Sequence, residues 1–215
     1  ISKNQLSEVL SKVSAPWVVR SSSTAEDSSN LSFAGVFTTI LGLTTVEEVL
    51  DAIKKVVSSK DEDTTKIYAT EHNIKTSEIK MAVIVQTLLQ PECSGVAFSR
   101  HPVTQENKVV IESNYGLGDI LVEGSIIPDL LEVSTDGKVA IIKIGTKKKK
   151  SIFKDNLLQR VEVSENERQQ LSFSEKMARD LAEIVRNIEQ DFGKPQDIEW
   201  AVVNGKIYIT QARPI

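Results

Sequence analysis

The last twenty residues, QDIEWAVVNGKIYITQARPI (196–215), constrain the fold more than any other stretch. Two runs rich in Ile, Val, Trp and Tyr flank Asn204-Gly205, a strong local signal for a β-hairpin. Side chains alternate at period two along a strand, so the turn decides which residues share a face. A two-residue turn pairs Glu199 with Thr210 and sends Gln211 to the opposite face. A three-residue loop over 203–205, with Gly205 left-handed at a bulge, pairs Glu199 with Ile209 and Asp197 with Gln211. The second register sorts the residues better. It puts Ile198, Trp200, Val202, Tyr208, Thr210 and Ala212 on one mostly apolar face and Asp197, Glu199, Gln211 and Arg213 on the other, and we predict it for that reason. Two carboxylates and an amide oxygen are hard ligands suited to Mg²⁺, and a neighbouring Arg suits a phosphate. The same face also reads as an ordinary solvated sheet surface.

Earlier in the chain the pattern alternates short helices and strands. Residues 2–13 predict an amphipathic helix with Leu6, Val9, Leu10 and Val13 on one side, ended by Pro16. Trp17-Val18-Val19 is a short strand that delivers Arg20 to a Ser-rich stretch, 21–35. Its hydroxyls and backbone N–H groups suit an anion, and its composition equally suits a flexible surface loop. Residues 36–41 predict a strand. Thr44 or Thr45 caps a helix to about 57, with Glu47 and Glu48 in the first turn and Lys54 and Lys55 near the end. A charged break (58–65) precedes one or two further helical turns (66–72).

MAVIVQTLL (81–89) predicts a buried strand interrupted only by Gln86, with 94–99 returning as its hairpin partner. Residues 109–111 form a strand that runs into ESNYGLGD (112–119). Its glycines permit close backbone approach to a ligand but make no Walker A loop. Residues 129–133 and 139–144 form a hairpin around Asp136-Gly137. The lysine run 147–150 reads as a solvated loop. SENE (164–167) is a capping box opening one long helix, 165–191, stopped by Gly193 and Pro195. The predicted class is α+β, antiparallel hairpins packed with helices.

A net charge of −4 gives no basic excess for nucleic acid. Cys93 is the only cysteine, so no internal disulfide forms and a reducing, cytoplasmic setting is expected. No apolar run approaches the ~18–20 residues that span a bilayer. The chain opens on Ile1 rather than Met and stops just past Pro214, and we read both ends as cut from something longer. His72 and His101 read as structural.

Four ordered blocks, VRSSSTAEDSSNLSFAG (19–35), MAVIVQ…SGVAFSRHPVT (81–104), IESNYGLGD…PD (111–129) and DIEWAVVNGKIYITQARPI (197–215), together resemble the ATP-binding domain of phosphoenolpyruvate synthase and pyruvate phosphate dikinase, a family that includes rifampin phosphotransferases. The resemblance implies a partial ATP-grasp-like fold over 1–215, with subdomains at 1–80 and 81–215. It implies Mg-ATP held between two lobes and a phosphoryl group passed to a histidine on a separate swivelling domain, then to an acceptor such as pyruvate. Position by position, Arg20 matches a phosphate-contacting arginine, Gly35 and Thr39 line the phosphates, Gln86 and the backbone at Leu88 meet the adenine, and Glu199 and Gln211 hold Mg²⁺. Arg213 is the arginine beyond them. Arg20 and Arg213 are the catalytic candidates, and Asp197 sits behind the metal pair.

The expected partners are a preceding lobe that supplies a phosphate-binding lysine, the swivelling phosphohistidine domain and an acceptor-binding domain, without which the fragment is expected to be inactive. Val36 stands where a polar residue is expected and Asp119 where a glutamate is usual, and 58–76 fits the family poorly. These departures keep a degenerate regulatory or docking domain as the alternative. A rifampin phosphotransferase or a dikinase remains an alternative to the synthase.

Overall fold

The computed structural model describes residues 2–23, 27–28, 31–32, 37–71 and 79–215. In chain order the elements are α1 (Lys3–Leu10), β1 (Trp17–Ser23), β2 (Asp27–Ser28), β3 (Leu31–Ser32), β4 (Thr39–Leu43), α2 (Val46–Ser58), a 3₁₀ turn (Ser59–Asp61), α3 (Asp63–Glu71), β5 (Met81–Thr87), β6 (Cys93–Phe98), β7 (Lys108–Tyr115), α4 (Asp119–Val122), β8 (Asp129–Ser134), β9 (Val139–Lys143), β10 (Lys149–Lys154), β11 (Leu157–Glu162), α5 (Glu165–Arg168), α6 (Glu175–Phe192), β12 (Gln196–Val203) and β13 (Lys206–Pro214). They fall into two units, Ile1–Leu88 with Lys154–Leu158, and Leu89–Phe153 with Gln159–Ile215. No helix among the described residues is long and apolar enough to cross a membrane.

The first unit is built on a three-stranded antiparallel sheet, β4-β1-β5. Helix α2 begins where its cap dictates. The Thr45 hydroxyl accepts from the Glu48 N–H, and the Glu48 carboxylate accepts from the N–H groups of both Thr44 and Thr45. The two threonines that the sequence could not separate thus share one carboxylate. Val49, Ala52 and Val56, three and four residues apart, are buried with Leu6 and Leu10 of α1 against Trp17, Val19 and Leu43. Each buried aliphatic side chain contributes about 1.5–3 kcal/mol. The charged break shrinks to the 3₁₀ turn, because α3 already starts at Asp63.

Strand β5 departs from its prediction in two ways. It pairs with β1 over seven residue pairs, from Trp17↔Thr87 to Ser23↔Met81, and not with 94–99. It is an edge strand: Val83 and Val85 pack on the core while Ile84, on the other face, is 43% exposed. An all-apolar run conceals which face is covered, and only the neighbour decides. By its contacts β5 belongs with the first unit.

The second unit is a six-stranded antiparallel sheet in the order β13-β12-β6-β7-β8-β9, with α6 across one face. Ala178, Leu181, Ala182 and Val185 of α6 pack on Ile111, Leu131, Ile198, Trp200 and Val202, and the Phe173 ring lies 4.9 Å from that of Trp200. The hairpin β8–β9 forms around Gly137 (φ 80°) as predicted.

The long helix 165–191 is two helices. Ser164 caps the single turn α5, and Ser174 starts α6 by accepting from the Met177 N–H. The break has a tertiary cause. The Ser172 N–H and hydroxyl both donate to the Asp129 carboxylate, at 2.7 and 2.8 Å, so Ser172 cannot continue a helical ladder.

The solvated-lysine reading fails for Lys147, which is completely buried. Its ammonium donates to Asp129 Oδ1 (2.5 Å) and to the carbonyls of Gly145 (3.1 Å) and Arg168 (3.3 Å), which satisfies all three of its N–H groups. Lys148 and Lys149 remain exposed, as read from the sequence.

Candidate functional site

The terminal hairpin turns on two residues. Asn204 (φ 51°) and Gly205 (φ 71°) are both left-handed, the backbone that matches the twist of paired strands. Val203 pairs with Lys206, Val202 with Ile207, Ala201 with Tyr208 and Trp200 with Ile209. One extra residue then enters β13 at Thr210, and the pairing resumes as Glu199↔Gln211, Ile198↔Ala212 and Asp197↔Arg213. The predicted three-residue loop is therefore replaced by a tight turn plus a mid-strand bulge. Glu199 opposes Gln211 rather than Ile209, and Asp197 opposes Arg213 rather than Gln211. Tyr208 moves to the Glu199 face, and Ile207 joins the core in its place. A bulge anywhere between turn and site shifts parity by one, so sorting of side chains alone could not locate it.

Asp197, Glu199, Gln211 and Arg213 share the face opposite α6. The Arg213 Nε and Nη2 groups donate to Asp197 Oδ2 at 2.8 and 2.6 Å, while Asp197 Oδ1 is buried with no hydrogen-bond partner among the described residues. Across the sheet, Gln211, Glu199, Val96 and Glu112 lie directly opposite one another on four successive strands. Glu112 is half-buried and makes no hydrogen bond or ion pair with described residues. Burial pushes its pKa up, and the nearby Asp197 charge adds to the effect. Gly95 holds β6 and β7 at this approach: a Cβ there would meet the Glu112 carbonyl oxygen at 1.9 Å.

Sequence reasoning missed Glu112. The signal was present, a single acid in the apolar run VVIE, of the same kind that singled out Gln86. The adjoining glycines drew the reading toward a loop, whereas β7 runs on to Tyr115.

In the first unit, Arg20 lies opposite Thr39 on β4 and Ile84 on β5, and Val18 opposite Leu41 and Gln86. Arg20, Thr39 and Gln86 therefore share one face, with apolar Val18 and Ile84, while α1 and α2 cover the other through Val19, Ile40, Val83 and Val85. Leu88 is buried and its N–H donates to the Pro16 carbonyl at 2.7 Å, so that N–H is committed within the fold. Gly35 lies outside the described residues, as does Val36.

Among the described residues no group of three or more His, Cys, Asp or Glu is placed to hold a metal ion. The face offers instead the Glu199 carboxylate, the Gln211 amide oxygen and the orphaned Asp197 Oδ1. That set fits Mg²⁺, which keeps waters and takes one or two carboxylates together with phosphate oxygens. An open groove of about 500 Å³ between Ile144, Lys148 and Arg168 contains none of the candidate side chains.

The sequence pattern of the pyruvate phosphate dikinase AMP/ATP-binding domain matches residues 3–215. A probable phosphoenolpyruvate synthase of Methanothermobacter thermautotrophicus is 36% identical over 215 residues, all of this chain and 31% of the relative. One from Archaeoglobus fulgidus is 37% identical over 92% of this chain and 26% of its own length. A rifampicin phosphotransferase of Bacillus subtilis is 36% identical over 93% of this chain and 23% of its own. The chain thus spans about a quarter to a third of these relatives.

Proposed function

The chain belongs to the pyruvate phosphate dikinase AMP/ATP-binding domain family, with its ATP-grasp-like nucleotide-binding fold, and on that premise we propose that it is the Mg-ATP-binding part of a phosphotransferase. In this reading the phosphoryl group passes from ATP to a histidine on a separate domain and then to pyruvate, as in a phosphoenolpyruvate synthase. The relatives bearing that name support the acceptor. The observation that carries the reading is Glu199 standing directly opposite Gln211, with the Asp197–Arg213 pair next to them on the same open face.

Each group then has a task. Glu199 and Gln211 hold Mg²⁺, with Asp197 behind them. Bound there, the ion neutralises charge on the phosphate oxygens during transfer. Arg213 keeps two N–H groups on Asp197, which fixes its guanidinium plane and leaves its Nη1 group to face a phosphate. Arg20, in the first unit, is assigned to a phosphate by resemblance. Thr39 opposite it offers a hydroxyl, and Gly35 is assigned to the phosphates by resemblance. Ile84, which is exposed, presents apolar surface for a base, and Gln86 and the backbone at Leu88 are assigned to its edge by resemblance. Transfer of this kind needs positioning and charge balance more than covalent chemistry from the protein.

Thermal melting tests the reading. We expect a stabilisation that needs both ATP and Mg²⁺, about 2.7 kcal/mol at a hundredfold excess over Kd, and absent in Glu199→Ala. A shift equally large with ATP alone, or retained in Glu199→Ala, would sink the metal assignment.

A further inference from the structure

We infer that Glu112 is a positioning residue for the divalent ion held by Glu199 and Gln211, accepting a hydrogen bond from one of its coordinated waters. The inference rests on the proposed metal site and adds a third carboxylate to it.

Gln211, Glu199, Val96 and Glu112 form one row of opposed residues across the sheet. Gln211 stands on β13, an edge strand, so beyond it the sheet has no further side chains. On the other side of Glu199 comes Val96, which has no polar group, and then Glu112. Strands lie about 4.8 Å apart, so Glu112 is roughly 10 Å from Glu199 at the Cα level. That is too far for the two carboxylates to share one coordination sphere when both stand upright on the sheet. Through one coordinated water the reach from a Glu199 oxygen is about 7 Å, the sum of two ion–oxygen distances of about 2.1 Å and a hydrogen bond of about 2.8 Å, so the long glutamate side chains must lean toward each other over Val96 to close the rest. Mg²⁺ keeps several of its waters, and their hydrogens need acceptors.

Glu112 is such an acceptor. It is half-buried, it has no partner among the described residues, and its strand is held close by Gly95. A carboxylate present for the fold alone would be expected to look like Asp129, whose two oxygens accept from four groups. Along β12 the remaining acceptor on this face is Asp197 Oδ1, so Glu112 and Asp197 would receive waters from two directions.

The test uses the 215-residue chain with Mn²⁺ as a paramagnetic probe and β,γ-methylene-ATP as the nucleotide, followed by electron paramagnetic resonance. Metal-free nucleotide affinity is measured separately in EDTA. We expect Glu112→Gln and Glu112→Leu to raise the free Mn²⁺ needed for half-saturation by about tenfold or more, and to leave the metal-free affinity unchanged. Glu112→Asp should recover part of the loss. If both variants bind Mn²⁺ like the parent while Glu199→Ala does not, the inference is wrong and the metal site stands. A fall in metal-free affinity would make Glu112 a contact to the sugar or base and would also overturn it. If Glu199→Ala leaves Mn²⁺ binding intact, the metal site itself fails, and the inference with it.

Discussion

Two acids on neighbouring strands of one sheet, Asp129 and Glu112, have opposite surroundings. Asp129 lies on the α6 face, in the row Trp200, Gly95, Ser113, Asp129. It is completely buried and saturated, by the N–H groups of Gly145 and Ser172, the Ser172 hydroxyl and the Lys147 ammonium. Glu112 lies on the other face with no such partner. Burying a charge is tolerable only when its hydrogen-bonding capacity is met, so the first arrangement is a closed structural joint. The second leaves capacity unused on the face that carries Glu199 and Gln211. Saturation, more than residue type, separates the acid that builds the fold from the acid available to a ligand.

Lys147 is the residue on which the Asp129 joint depends most. Lys147→Ala leaves the Asp129 carboxylate buried without its counter-charge, and we expect a loss of about 3–5 kcal/mol in chemical denaturation. Surface-pair behaviour, below about 1 kcal/mol, would mean the joint is not the strong point assigned here. Gly95→Ala should come next. The added methyl meets backbone, not a flexible side chain, so β6 and β7 must part, at a cost of about 1–3 kcal/mol. Loss of metal-dependent stabilisation in the same variant would show that the approach of β7 serves the face as well as the fold.

Deleting Thr210 tests the hairpin face directly. Continued from the Asn204-Gly205 turn, the unbulged ladder brings Gln211 opposite Glu199 again. Metal-dependent melting should therefore survive, whereas inserting an alanine after Thr210 should abolish it. The reverse result would mean that the bulge geometry, rather than the pairing, makes the site.

The smallest effect concerns Glu112 itself. Its pKa is raised in the fold, so the stability it contributes is present below its unfolded value, about 4.3, and is lost as pH rises through the folded one. Melting without ligand should show Glu112→Gln gaining on the parent between pH 4 and pH 8. Because the side chain is half exposed, solvent screening keeps this gain modest. A difference that does not change with pH would remove the contrast with Asp129.

Much of the molecule was legible in the chain. The caps at Thr45 and Ser164, the turns at Gly137 and Asn204-Gly205, and the apolar stripe of α6 follow from local chemistry, where a hydroxyl, a missing Cβ or a 3.6-residue period acts within a few residues. The gathering of Glu199, Gln211, Asp197 and Arg213 was legible too, because alternation along two strands sorts them.

What the sequence left open was everything set by a partner distant in the chain. β5 joined β1 instead of 94–99, because an apolar run pairs with whatever edge the fold supplies. The bulge at Thr210 moved from the turn, because several registers sort the same residues. Lys147 went inside and Ser172 broke a helix, because Asp129 needed both. Glu112 gained its place only when β6 and β12 came to lie between it and Gln211. Local rules determined the elements and the polar face of the hairpin. Burial, which depends on neighbours tens of residues away, decided which charges became part of the structure.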